Sequence, residues 1–189
     1  GALIDSWDAW IAVLAECRVR RHLRPLTEDE VRQHWGQGIA ADCNNWFVGE
    51  TPRQLAGEYD DGFRRHVGLV RVIDGAKAAV QAVRGLGART AVVTNSPRAM
   101  VEQVLATVGL RSEFEILACG DEVSRGKPDP ALVRLALIRL GLAPETVVMI
   151  GDTQLDVAAA RAAGVFVVGL GTPGDARVES MLEFRLQLG

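Results

Sequence analysis

From Val70 onward, short apolar runs alternate with longer stretches in which apolar residues recur at helical spacing. Residues 89–93, 114–118, 146–150 and 165–168 are rich in Val and Ile, with no polar alternation, the pattern of strands buried on both faces. The stretches between and before them, 75–86, 97–108, 130–140 and 155–163, read as helices. Each is followed by a glycine (Gly87, Gly109, Gly141, Gly164), the residue that most readily closes a helix in the left-handed conformation. Continuously apolar strands separated by helices call for a parallel sheet covered on both faces, a doubly wound α/β core. The tail from Gly171 allows a terminal helix or a short strand.

The chain before Val70 has a different rhythm. Residues 7–23, 27–35 and 52–68 read as helices. Thr27 and Glu30 form a capping box, and Thr51-Pro52 places proline at a first helical position. Gly36-Gln37-Gly38 and residues 42–45 read as loop. Trp7, Trp10, Trp35, Trp46 and Tyr59 all fall here, which predicts a helical bundle with its own aromatic core inserted near the start of the α/β fold.

Composition narrows the function classes. The hydrophobic fraction is 48% over 189 residues, enough for a substantial core, and the net charge of −3 argues against nucleic acid as a partner. No apolar run reaches the roughly 20 residues of a membrane helix, and no signal peptide is visible, so a cytoplasmic protein without a membrane partner is expected. Cys17, Cys43 and Cys119 are widely spaced and read as reduced, buried thiols. His22, His34 and His66 lack metal-ligand spacing.

Polar chemistry gathers at the predicted strand ends, where open α/β sheets collect their ligands. Strand 146–150 runs into Gly151-Asp152, and Asp156 follows one helical turn later. Carboxylates converging there repel each other unless a cation lies between them, and hard oxygen ligands suit Mg²⁺. The alternative is that Asp152 caps the helix and Asp156 faces solvent. Strand 89–93 leads into Thr94-Asn95-Ser96-Pro97, a hydroxyl and an amide before a helix start, fit for phosphate oxygens or for a plain N-cap. Lys127, in Gly126-Lys127-Pro128-Asp129-Pro130, sits on a stiff tether from which it could neutralise a phosphoryl oxygen, or it is a solvated loop charge beside the N-cap Asp129.

Taken together, Thr94-Asn95, Lys127 and Gly151-Asp152-x-x-x-Asp156 resemble motifs II, III and IV of the haloacid dehalogenase (HAD) superfamily, and the chain looks most like its phosphoglycolate phosphatase-like and β-phosphoglucomutase-like members. The resemblance implies a Rossmannoid core of residues 1–6 and 71–189 with an α-helical cap at 7–70. It implies a Mg²⁺-dependent phosphohydrolase of a small phosphorylated metabolite, working through an aspartyl-phosphate. Thr94, Asn95 and Lys127 would bind phosphate, Thr94 and Lys127 acting in catalysis, and Asp152 and Asp156 would hold the metal. Arg32, His34, Trp35 and Gln37 are candidates for substrate selection from the cap.

The family's motif I runs Asp-x-Asp-Gly-Thr-Leu-x-Asp-Ser, and this chain opens Gly1-Ala2-Leu3-Ile4-Asp5-Ser6. The match begins at the glycine after the second Asp. The nucleophile, the acid/base and the first strand would therefore lie immediately before Gly1. Asp5 and Asp8 align with the start of the cap and do not substitute. A chain beginning at Gly1 is expected to be inactive by the family mechanism. Alternatives are a non-catalytic phosphate-binding or interaction module, a 2-haloacid dehalogenase, which the carboxylate pair argues against, and a phosphomutase. A monomer or a homodimer fits equally.

Overall fold

A computed structural model describes residues 1–188 of the protein. The chain enters through β1 (Ile4–Asp5) and passes into α1 (Trp7–Arg20), α2 (Glu28–Gln33), α3 (Ile39–Asn45) and α4 (Pro52–His66). It returns through β2 (Arg71–Val72), which pairs antiparallel with β1 in the register Ile4↔Val72 and Asp5↔Arg71. The two connections of the helical insertion are thus zipped together at its base.

Within the bundle, α1 and α4 form the main pair around Val13, Leu55, Tyr59 and Phe63, all buried. Trp10 meets Tyr59 edge-on at 5.0 Å between ring centroids, an arrangement favoured by the aromatic quadrupole. The expected capping box is present, the Thr27 side chain accepting from the N–H of Glu30, and Thr51 forms a second one with Gln54. Residues 42–45, expected as loop, instead lie in α3, which starts at Gly38 and ends against Trp46. The aromatic core is also not the bundle's alone, because Met100 and Val104 from the next layer are buried in the same cluster.

The remainder alternates helix and strand: α5 (Ala76–Gly85), β3 (Ala91–Val93), α6 (Arg98–Thr107), β4 (Ile116–Ala118), α7 (Ala131–Leu140), β5 (Val148–Gly151), α8 (Gln154–Ala162) and β6 (Phe166–Leu170). The tail supplies both possibilities, β7 (Ala176–Val178) and then α9 (Met181–Leu186). Every pairing after β2 is parallel: β3 with β4 (Val92↔Leu117), and β5 with β6 with β7 (Ile150↔Val168, Gly169↔Arg177). Helices on both faces complete the expected doubly wound α/β arrangement. No described helix is long and apolar enough to cross a membrane.

The parallel strands form two sheets rather than one, and β3 and β5 each carry a ladder edge with no strand on it. Both strands line one cavity of about 990 Å³, which runs from Arg89, Thr90 and Thr146 at the strand starts to Thr94 and Asp152 at their ends. α7 packs on β3, β4 and α8, tying the sheets together on one face, and α5 with α9 packs beside Ile150 on the other.

Candidate active site

The site lies at the carboxyl ends of β3 and β5, against the bundle segment 36–38. Thr94 directly follows β3. Its backbone N–H donates to Ala118 O at 3.0 Å, and its Oγ1 accepts from the N–H of Ser96 at 3.1 Å. The hydroxyl is thus fixed by an N–H while its own proton is free to donate.

Asn95 is the clamp. Its Oδ1 accepts from Lys127 N at 2.7 Å, and its Nδ2 donates to Lys127 O at 3.0 Å and to Gly36 O at 2.8 Å. Both amide protons and the amide oxygen are engaged, so the side chain holds two loops together. Gly120 and Gly126 make this approach possible, since a Cβ there would lie 2.1 Å from Asn95 O and 2.4 Å from Asn95 Oδ1 respectively.

Lys127 is not a solvated charge. Its Nζ donates to Val93 O at 3.1 Å and to Asp156 Oδ1 at 2.6 Å, with side-chain exposures of 12% for the lysine and 7% for the aspartate. An ammonium has three N–H donors, so a further donor remains for an anion in the cavity. Asp156 does not face solvent: besides the Lys127 ammonium on Oδ1, its Oδ2 accepts from Thr153 N at 3.0 Å and Thr153 Oγ1 at 2.7 Å. Burial pushes the Asp156 carboxyl up, but the Lys127 ammonium and the Thr153 donors outweigh it and hold it below the usual carboxylate range.

Asp152 is the carboxylate left open to the cavity, with 26% side-chain exposure. Its Oδ2 lies 3.1 Å from Gly1 N. Among the described residues no cluster of three His, Cys, Asp or Glu forms a ready metal cage. Asp152 fits one carboxylate position of a Mg²⁺ site, since that ion commonly takes one or two protein carboxylates and completes its shell with water and phosphate.

The candidates from the bundle divide. His34 and Trp35 line the cavity. His34 Nδ1 faces Asn45 Nδ2 at 3.1 Å, so in the neutral ring the proton sits on Nε2. Trp35 packs on Trp7 with centroids 4.9 Å apart. Arg32 does not line the cavity: its guanidinium lies over the Trp7 ring at 4.2 Å and reaches Glu28 at 3.4 Å. Gln37 bonds Gln33 O at 3.2 Å and also lies outside the lining. Sequence reasoning missed Thr153, which the Thr-x-x-Asp spacing of a capping box could have signalled, and Asp42, which also faces the cavity.

Comparison with known proteins agrees with this arrangement. The family model described as "Haloacid dehalogenase-like hydrolase" matches residues 1–170. A phosphoglycolate phosphatase of Cereibacter sphaeroides is 37% identical over 173 residues, covering 87% of this chain and 78% of its own. A validoxylamine A 7'-phosphate phosphatase of Streptomyces hygroscopicus subsp. limoneus is 36% identical over 184 residues, covering 93% and 84%. The crystal structure of CbbY from Rhodobacter sphaeroides in complex with phosphate superposes with a TM-score of 0.86 at 20% identity, over 97% of this chain and 92% of that one.

Proposed function

The chain belongs to the haloacid dehalogenase-like hydrolases, as a HAD-type phosphatase, and from that premise we propose a Mg²⁺-dependent reaction on a small phosphorylated metabolite, with the nucleophilic Asp on a strand that leads into Gly1. The observation that carries this reading is the convergence of the Thr94 hydroxyl, the Lys127 ammonium and the Asp152 carboxylate at the mouth of the cleft between β3 and β5, where Gly1 also lies.

A strand in the cleft, running parallel to β3 and β5, would deliver its last residues beside these groups. Thr94 would donate to one phosphoryl oxygen and Lys127 to another, neutralising charge as the ester bond breaks. An Asp carboxylate from the strand would attack phosphorus, the leaving oxygen would take a proton from a second carboxyl, and water would later cleave the aspartyl-phosphate. Asp152, with a carboxylate of that strand, would hold Mg²⁺, which supplies charge stabilisation when bound. Asn95 and Asp156 act at one remove, by fixing Lys127. The insertion 7–70 would act as a cap over this mouth, and a cytoplasmic location fits the chemistry.

The test is direct. A strand of about six apolar residues ending in Asp-x-Asp, fused ahead of Gly1, should confer Mg²⁺-dependent hydrolysis of p-nitrophenyl phosphate. The chain starting at Gly1 should give none. Turnover by that shorter chain would overturn the assignment of the nucleophile.

A further inference from the structure

Asp42 is a carboxylate that the reaction above does not use. It sits on α3, one turn beyond Gly38, where the bundle touches the active-site loop: Gly38 is so close to Asn95 that a Cβ there would stand 3.6 Å from Asn95 Cβ. Four residues along the helix from that contact, Asp42 lines the same cavity as Thr94, Lys127 and Asp152.

Tyr59, buried beneath α3, donates its hydroxyl to Asp42 Oδ2 at 2.9 Å. Among the described residues Oδ1 has no protein partner. Around it the bundle's contribution to the cavity is aromatic and aliphatic (Trp10, Trp35, Ile39, Trp46), with His34 and Tyr59 as the other titratable side chains. No Lys or Arg from the bundle lines the cavity, and Arg32, the nearest candidate by sequence, is turned outward onto Trp7.

We infer that Asp42, oriented by Tyr59, is the group that selects the leaving alcohol, favouring phosphate esters whose organic part carries hydroxyls or an ammonium and rejecting those that carry a carboxylate. A carboxylate-bearing ester such as phosphoglycolate would bring a second negative charge toward Asp42 with no bundle cation to balance it. In a partly desolvated cleft that repulsion is several times its value in water. A hydroxyl or ammonium would instead donate to Oδ1, while the tryptophan faces take the apolar side of a sugar ring. Burial drives the Asp42 carboxyl up to about 6, so it is ionised at pH 7.5 but incompletely solvated, a state that favours an incoming donor.

This inference deepens the phosphatase reading and rests on it. The experiment is calorimetric titration of the chain at pH 7.5 with Mg²⁺, using orthophosphate, 2-phosphoglycolate and glucosamine 6-phosphate, repeated with Asp42→Asn. The wild-type chain should bind glucosamine 6-phosphate roughly tenfold or more tightly than 2-phosphoglycolate, and the ratio should fall to within about threefold in the variant. Phosphoglycolate binding as tightly as the amino sugar ester in the wild-type chain would overturn the inference, whether or not the variant folds. So would an unchanged ratio in Asp42→Asn. If orthophosphate itself does not bind, the phosphoryl site is wrong and the inference falls with it, an outcome distinct from a reversed preference with orthophosphate bound.

Discussion

Two carboxylates lining the cavity, the half-buried Asp42 and the buried Asp156, have opposite relations to pH. Asp42 is raised by burial to about 6, so between about pH 4 and 6 the folded chain holds a proton that the unfolded chain has released. Stability from this group is therefore greatest below about pH 4, falls as pH rises through 6, and is flat above. A rise of about two units corresponds to at most about 3 kcal/mol. Asp42→Asn keeps an oxygen for the Tyr59 hydroxyl and removes the buried charge, so it should stabilise the fold by about 1–3 kcal/mol at pH 7.5, with the gain vanishing near pH 4. Urea denaturation at the two pH values checks this. A residue that costs stability at neutral pH and lines the active-site cavity is better explained by a ligand than by packing.

Asp156 behaves in the opposite sense. Its carboxyl is held down by Lys127 and Thr153, so its contribution is present above the ordinary carboxylate range and is lost as pH falls through its lowered value. Asp156→Asn strands the Lys127 ammonium in a site where its side chain is only 12% exposed. Removing one partner of a buried pair typically costs about 3–5 kcal/mol, and denaturant unfolding near neutral pH should show a loss of that order. The sequence could not show this pairing of Asp156. Its i+4 spacing from Asp152 suggested a shared cation, whereas the partner that takes its charge is 29 positions away in sequence.

At the scale of elements, most of the fold was legible because its signals are local. Strands β3 to β6 are apolar throughout, and the helices between them end on glycines such as Gly141, whose φ of 65° is the left-handed closure expected. α3 was missed for a local reason too: it opens on Gly38 without a side-chain cap and carries Asp42, Asn44 and Asn45, residues that more often mark turns. What sequence could not supply were contacts made by backbone atoms, which carry no residue-type signature. Gly36 O, 59 positions from the Asn95 amide it accepts, ties the bundle to the site. Helix α8 offers a test at this scale. Thr153 both caps it and holds Asp156, so Thr153→Ala should cost about 1–2 kcal/mol in denaturant unfolding, at the upper end for an N-cap. A much smaller loss would mean that the Lys127 pair alone fixes Asp156.

For the molecule as a whole, the decisive feature is the cleft between β3 and β5. The cavity runs the length of both strands, and Gly1 lies beside Asp152 at its mouth. Bare ladder edges leave N–H groups open to exchange, whereas β6, paired on both sides by β5 and β7, has its own satisfied. Amide hydrogen exchange on the chain starting at Gly1 should therefore be fast in residues 91–93 and 148–151 and slow in residues 166–170. Fusing the apolar strand ahead of Gly1 should protect the first two segments selectively, leaving the third unchanged. Uniform protection across all three would mean that the added segment only raises global stability. Protection confined to the edges of β3 and β5 would mean that it occupies the cleft, bringing its terminal carboxylates to the groups already held at the mouth.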